Sequence, residues 1–217
     1  MTSYTLTRSK RRTVAIYILE GGVEVRAPLK MPKRDIDGFV ASKEKWITDS
    51  LARAREQIEG RVSLDYGVTV PYRGKPYPIA VKEGQRAGFD GERFHVPPGL
   101  SPEQIKPACV QIYRGLARHY LVDRTLGFAN RMDMAPKAVR INGAKARWGS
   151  CSAKKNINFS WRLIMADDEV IDYVVIHELA HLSEMNHSAR FWKIVEGFLP
   201  DYKKRKIRLK ALQIRAF

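Results

Sequence analysis

Between Asp167 and Leu182 the chain is apolar nearly all the way round a helix. Val170, Ile171, Tyr173, Val174, Val175, Ile176, Leu179, Ala180 and Leu182 leave little polar face for solvent. A helix of that kind has to be buried, so the rest of the fold must enclose it. Set into it is His177-Glu178-Leu179-Ala180-His181, and six residues further on stands His187. Residues four apart on a helix differ by about 40° in azimuth, so both imidazoles project from one face and can share one small cation. Glu178, about 100° round from His177, stands beside that cation rather than on it. Two imidazoles for a metal and an adjacent carboxylate to take a proton from water form the pattern of a zinc hydrolase. With five His and twelve Glu in 217 residues, the motif arises by chance in roughly 0.006 of shuffled chains. Three of the five histidines fall in this window, with His187 offering a third ligand.

The flanks of that helix carry their own signals. Asp167 is placed as N-cap, with Asp168 and Glu169 in the first turn, where the helix dipole favours negative charge. Asn186 is read as the left-handed residue that ends the helix and turns His187 back toward the metal. Ser188 then caps a further helix through Phe191, Trp192, Ile194 and Val195, which Pro200 ends.

The net charge of +16 is uneven. Residues 201–217 hold seven Lys or Arg against Asp201 alone, whereas residues 167–184 hold six acidic groups and no Lys or Arg. The basic surface suits nucleic acid, an anionic substrate or plain solubility. Cys109 and Cys151 are too few for a disulfide framework and lack metal-ligand spacing, so reduced thiols in a cytoplasmic protein are expected. The first residues lack an apolar stretch, and no segment reaches the roughly eighteen apolar residues of a membrane span.

Upstream, residues 3–27 read as a β-meander with a Gly21-Gly22 hairpin, and Arg34 to about Glu59 read as helical, with Ser42 as a cap and Gly60 as the stop. A hairpin turning at Arg73-Gly74-Lys75 follows, its prolines pointing to edge strands or bulges, then an Asp90-Gly91 hairpin containing a structural His95. Pro97-Pro98-Gly99 is the candidate boundary between a β-rich region, 1–98, and a hydrolase region, 99–217, which together can also form one compact unit. Ser101 caps a long helix to about Arg131, with a break near Gly127. Three short strands come next: 138–142, 146–152 and 157–161. A strand edge beside a metal helix can pair with an extended peptide without reading its sequence.

Arg147-Trp148-Gly149-Ser150-Cys151-Ser152, Asp172 to Leu182 around the histidine pair, and Asn186-His187-Ser188 with Phe191-Trp192 together resemble the YgjP-like metallopeptidase family, related to SprT-type zinc proteins. The motifs cover about residues 138–202, and the upstream strands and the Trp46 helix look like the family's N-terminal region. The resemblance implies a zincin-like α+β fold: a β-rich N-terminal region, a long helix, a small antiparallel sheet and the His-Glu-x-x-His helix. It also implies one zinc ion on His177, His181 and His187, Glu178 as general base, and a bacterial, cytoplasmic protein. Glu196, on the following helix, is the competing third ligand.

Three readings follow. The first is a zinc metallopeptidase acting on a peptide or protein. The second is a nucleoside triphosphate pyrophosphohydrolase that uses the same metal site, with the basic surface attracting its substrate. The third is a nucleic-acid-associated protein acting on bound proteins, with Lys203, Lys204, Arg205, Lys206, Arg208 and Lys210 on phosphates. Arg147, Trp148 and Tyr202 are the candidate substrate-binding residues. Tyr173 and Arg190 join Arg147 and Tyr202 as oxyanion donors by residue type.

Overall fold

The computed structural model describes residues 2–19, 22–59, 63–84 and 86–212. Contacts divide the chain into two units, Met1–Val62 and Ser63–Phe217. In the first unit one strand is far more buried than its neighbours, and it takes the middle of the sheet. β3 (Gly22–Pro28) buries Val23, Val25 and Ala27 at every second position. β1 (Thr5–Ser9) lies parallel to it on one side and β2 (Ala15–Leu19) antiparallel on the other. The topology is therefore not the expected meander. The mostly exposed β1 is placed at an edge, and the strand with the continuous apolar face is paired on both sides. Helices α1 (Lys33–Ser42) and α2 (Glu44–Glu59) complete this core with Ile36, Val40 and Ile47. Ser42 does not cap α2; its hydroxyl donates back to the Phe39 carbonyl at 2.7 Å. Gly21 of the hairpin and the stop at Gly60 lie outside the described residues.

The second unit begins at Ser63, so the break in contacts falls well before the Pro97-Pro98-Gly99 turn. The reason is burial. β4 (Thr69–Tyr72), β5 (Lys75–Val81), β6 (Gly88–Phe89) and β7 (Phe94–Val96) form a sheet of order β4-β5-β7-β6. Their Val70, Ile79, Phe94 and Val96 are enclosed in the same core as the helices that follow. Pro76 and Pro78 lie where β5 pairs with β4 alone, before β7 joins at Ile79–Val81, so no ladder bond is lost. Arg73 and Gly74, at φ 47° and 74°, make the tight turn of this hairpin.

α3 (Pro102–Arg131) runs for 30 residues and passes Gly127 without a break. Gln104 Oε1 accepts from the Ser101 N–H at 2.9 Å and fixes its start. The following sheet has the order β8-β10-β9, with β10 (Asn156–Ser160) central, parallel to β8 (Ala138–Asn142) and antiparallel to β9 (Gly149–Cys151). After a 3-10 turn at Trp161–Met165 comes α4 (Asp168–Ala180), then α5 (Ala189–Phe198) and α6 (Tyr202–Ala211). α4 is the buried helix that the sequence requires: every residue from Val170 to Ile176 is buried, as are Glu178, Leu179 and Ala180. The architecture is α+β. Among the described residues no helix is long and apolar enough to cross a membrane.

Candidate metal centre

α4 is fixed first at its N-terminal end. Asp167 Oδ1 accepts from the Val170 N–H at 3.0 Å, the cap read from the sequence. The Arg73-Gly74 turn docks on the approach to the helix, its N–H groups donating to Ile164 and Met165 carbonyls at 2.9 and 3.2 Å. The fit is so close that a Cβ on Gly74 would lie 2.7 Å from Asp167 Cβ. Arg73 clasps Asp168 through two bonds, Nε to Oδ1 at 2.8 Å and the second at 2.5 Å, and Tyr120 donates to the same carboxylate at 2.8 Å. Arg124 does the same for Asp172 at 2.6 and 2.7 Å. Arg208 reaches Asp167 at 2.8 Å and also pairs with Glu169. The acidity that local sequence assigns to this helix is thus answered by arginines from the β4–β5 turn, α3 and α6.

The other end is built differently. His177 and His181 project from one face, and His187 meets them from the loop before α5, with Nε2 of His187 and His177 3.0 Å apart. One ligand atom from each of the three lies within 4.8 Å of the others. Two nitrogens bound at about 2.0–2.1 Å to a tetrahedral ion stand about 3.3 Å apart, so the donor set fits one zinc-sized cation. The Glu184 carbonyl lies 3.0 Å from His181 Nδ1 and, by accepting its proton, leaves Nε2 free to bind. Phe191 packs against all three imidazoles at centroid distances of 4.5–4.9 Å, and Trp192 stacks on His187 at 5.7 Å. Burial, then the neighbouring His181 and His187, push His177 down to about 3, so the ring is neutral and ready to act as a ligand. His177 Nδ1 is buried without a partner among the described residues.

The exit from α4 differs from expectation. The helix ends at His181 in ordinary right-handed geometry, and Leu182, Ser183 and Glu184 close tight turns on Leu179 and Ala180. Asn186 does not adopt a left-handed conformation; its side chain accepts from the Ser188 N–H at 3.2 Å and orders the loop carrying His187. Ser188 caps α5 as expected, accepting from the Phe191 N–H at 3.3 Å. Glu196 is exposed and is not part of the histidine cluster.

Glu178 is 5 % exposed, and its Oε2 has no partner among the described residues. Burial pushes its carboxyl up to about 7, against a smaller downward pull from Arg147. Strand β9 lies directly against it: a Cβ on Gly149 would sit 2.5 Å from Glu178 Oε1. Only glycine lets an edge strand come so close. The sequence displays that residue within Trp-Gly-Ser-Cys, but nothing local says what the glycine makes room for. Of the other candidates, Arg147 is exposed near Glu178, and Trp148 is half-buried at the start of β9, its carbonyl accepting from Ser160 N–H at 2.8 Å. Tyr173 is buried, its ring 5.8 Å from His177. Tyr202 is buried and stacked on Trp192 at 5.2 Å, and Arg190 is exposed. Cys109 and Cys151 are free.

The model of the YgjP-like metallopeptidase domain matches residues 12–212. The chain belongs to the YgjP-like metallopeptidase family. Two solved structures are also similar to this YgjP-like chain. The metallopeptidase zymogen of Pyrococcus abyssi abylysin shares 27% identity over 45% of this chain and 99% of its own, with a TM-score of 0.40. The metallopeptidase zymogen of Methanocaldococcus jannaschii jannalysin shares 21% identity over 42% and 92%, with a TM-score of 0.37. No curated protein matches the sequence.

Proposed function

We propose that this YgjP-like protein is a zinc-dependent peptidase in which His177, His181 and His187 hold one zinc ion and Glu178 is the general base. The observation that supports this most is the convergence of three imidazole donors within 4.8 Å beside a buried carboxylate with an unpartnered oxygen. Bound there, zinc would supply Lewis acidity toward a carbonyl oxygen and make water a better nucleophile near neutral pH. Glu178 takes the proton of the attacking water and returns it to the leaving amine. A carboxyl raised to about 7 suits both halves of that task, because it gains and loses a proton near working pH. Phe191 and Trp192 wall the histidines and keep water from one side. The edge of β9 offers an extended peptide a backbone to pair with, directly over Glu178.

The experiment is a side-by-side screen of peptides and nucleoside triphosphates with the zinc-loaded protein and its Glu178→Gln variant. The wild type cleaves peptide, and Glu178→Gln keeps one equivalent of zinc while losing on the order of 10²–10⁴-fold in rate. Turnover of nucleotide alone would replace this reading by the pyrophosphohydrolase one, and unchanged turnover in the variant would remove Glu178 from the reaction. Metal content should fall in His187→Ala and stay whole in Glu196→Ala.

A further inference from the structure

The cations around α4 are of two kinds. Arg73, Arg124, Arg205 and Arg208 are all committed to carboxylates. On α6 the commitment is visible residue by residue: Arg205 pairs with Asp201 at 3.0 Å and donates to the Glu169 carbonyl at 3.1 Å, while Arg208 holds Asp167. Lys206 lies between them in sequence but is aimed elsewhere. Its ammonium sits over the face of Trp192, 4.5 Å from the ring centroid, and no carboxylate among the described residues pairs with it. The same indole is stacked on His187, with ring planes 26° apart, and on Tyr202, and its ring centroid lies 5.9 Å from that of His177.

One indole ring is therefore in contact with both an ammonium that has no ion-pair partner among the described residues and the histidine cluster. Lys206 is half-buried as a residue, with its ammonium on the face of the indole. Arg147, on the Glu178 side, is a second cation without a carboxylate partner among the described residues, so the rim of the site has a positive bias. A cation held on an aromatic face beside a site, without an ion-pair partner, can receive an anionic oxygen supplied by the substrate.

We infer that Lys206 is a specificity-determining residue that holds a substrate carboxylate over Trp192, an assignment that rests on the peptidase reading above. In a peptide that carboxylate comes either from an Asp or Glu side chain next to the scissile bond or from a free C-terminus. The two sources present the same chemistry to the ammonium.

The test uses three sets of N-acetylated alanine hexapeptides on the zinc-loaded protein: all-alanine and neutral with an amidated C-terminus, amidated with one Glu at each position in turn, and all-alanine with a free C-terminal carboxylate as its one charge. The wild type should favour a carboxylate-bearing set at least tenfold in kcat/KM, and the set favoured names the source. Lys206→Gln should erase the preference through a rise of about tenfold in KM for the acidic peptides with little change in kcat. Lys206→Arg should restore it, and Lys206→Glu should invert it. Added salt should weaken the preference in the wild type only. Calorimetric binding of the same sequences with a reduced, uncleavable bond gives a readout independent of turnover. If no peptide is cleaved but the acidic analogues bind through Lys206, the peptidase reading fails and the receptor stands. If peptides are cleaved with no carboxylate preference, or if Lys206→Gln weakens neutral and acidic peptides alike, the receptor is overturned.

Discussion

The two ends of α4 both carry polar groups and treat them in opposite ways. At the N-terminal end Asp167, Asp168, Glu169 and Asp172 each have an arginine partner from a distant part of the chain. At the C-terminal end Glu178 Oε2 and His177 Nδ1 are buried with no partner among the described residues. Buried polar groups are normally satisfied, and an unsatisfied one costs about 1–3 kcal/mol. The N-terminal end fills its hydrogen-bonding capacity from within the protein and these two atoms do not, which separates the part of the helix that anchors from the part to which we assign the reaction. Reactive groups need unused hydrogen-bonding capacity, whereas anchoring groups need theirs filled.

The sharpest way to break this contrast is to disturb the reactive end without touching a donor. Gly149→Ala forces a Cβ against Glu178 and should displace the carboxyl, lowering kcat on the order of 10²-fold with zinc content unchanged. Steady-state kinetics beside metal analysis would show it, and full activity would mean that the strand can retreat. At the anchoring end, Arg124→Ala leaves the buried Asp172 carboxylate alone. It should cost about 2–3 kcal/mol in urea unfolding, less than a fully buried pair because Arg124 is itself partly exposed. Equal stability of wild type and variant would mean that the pair does not anchor.

The smallest effect is in pH dependence, and its sign differs between the ends. Asp168 is held below its ordinary 3.8, first by the Arg73 bonds and then by Tyr120, so its contribution is present above that value and fades as pH falls through the lowered one. Glu178 is raised by burial from 4.5 to about 7. Across that interval the unfolded chain has already released its proton while the folded chain still holds it, so the metal-free protein loses stability as pH rises. The stability of wild type relative to Glu178→Gln should therefore decline between about pH 4.5 and 7 in chelator, as followed by denaturant midpoints. A flat difference would show that Glu178 titrates normally.

Much of this was readable in advance because it depends on short-range geometry. The histidine pair, the adjacent Glu178, the caps at Asp167 and Ser188 and the burial of Val170 to Ile176 all follow from helical period and local hydrogen bonding. The β1–β3–β2 order was not readable, because alternation marks a strand but does not choose its partner. The division of contacts at Val62–Ser63 was hidden for a similar reason: Pro97-Pro98-Gly99 is a good turn, and a core shared between the strands before it and α3 has no local signature.

By itself the sequence determined the chemical vocabulary of the site: three histidines, one carboxylate and a helix that has to be buried. The tertiary structure alone decided which charges are spent and which are free. Helix α4 is locally acidic in sequence, yet its first two turns are neutralised by Arg73, Arg124 and Arg208, while Lys206 from the most basic segment is left over an indole beside the histidines. Pairings between residues 36 to 95 positions apart have no local signature, because they depend on which surfaces the core brings together. The same holds for Gly149, whose missing side chain has meaning only once β9 lies against Glu178.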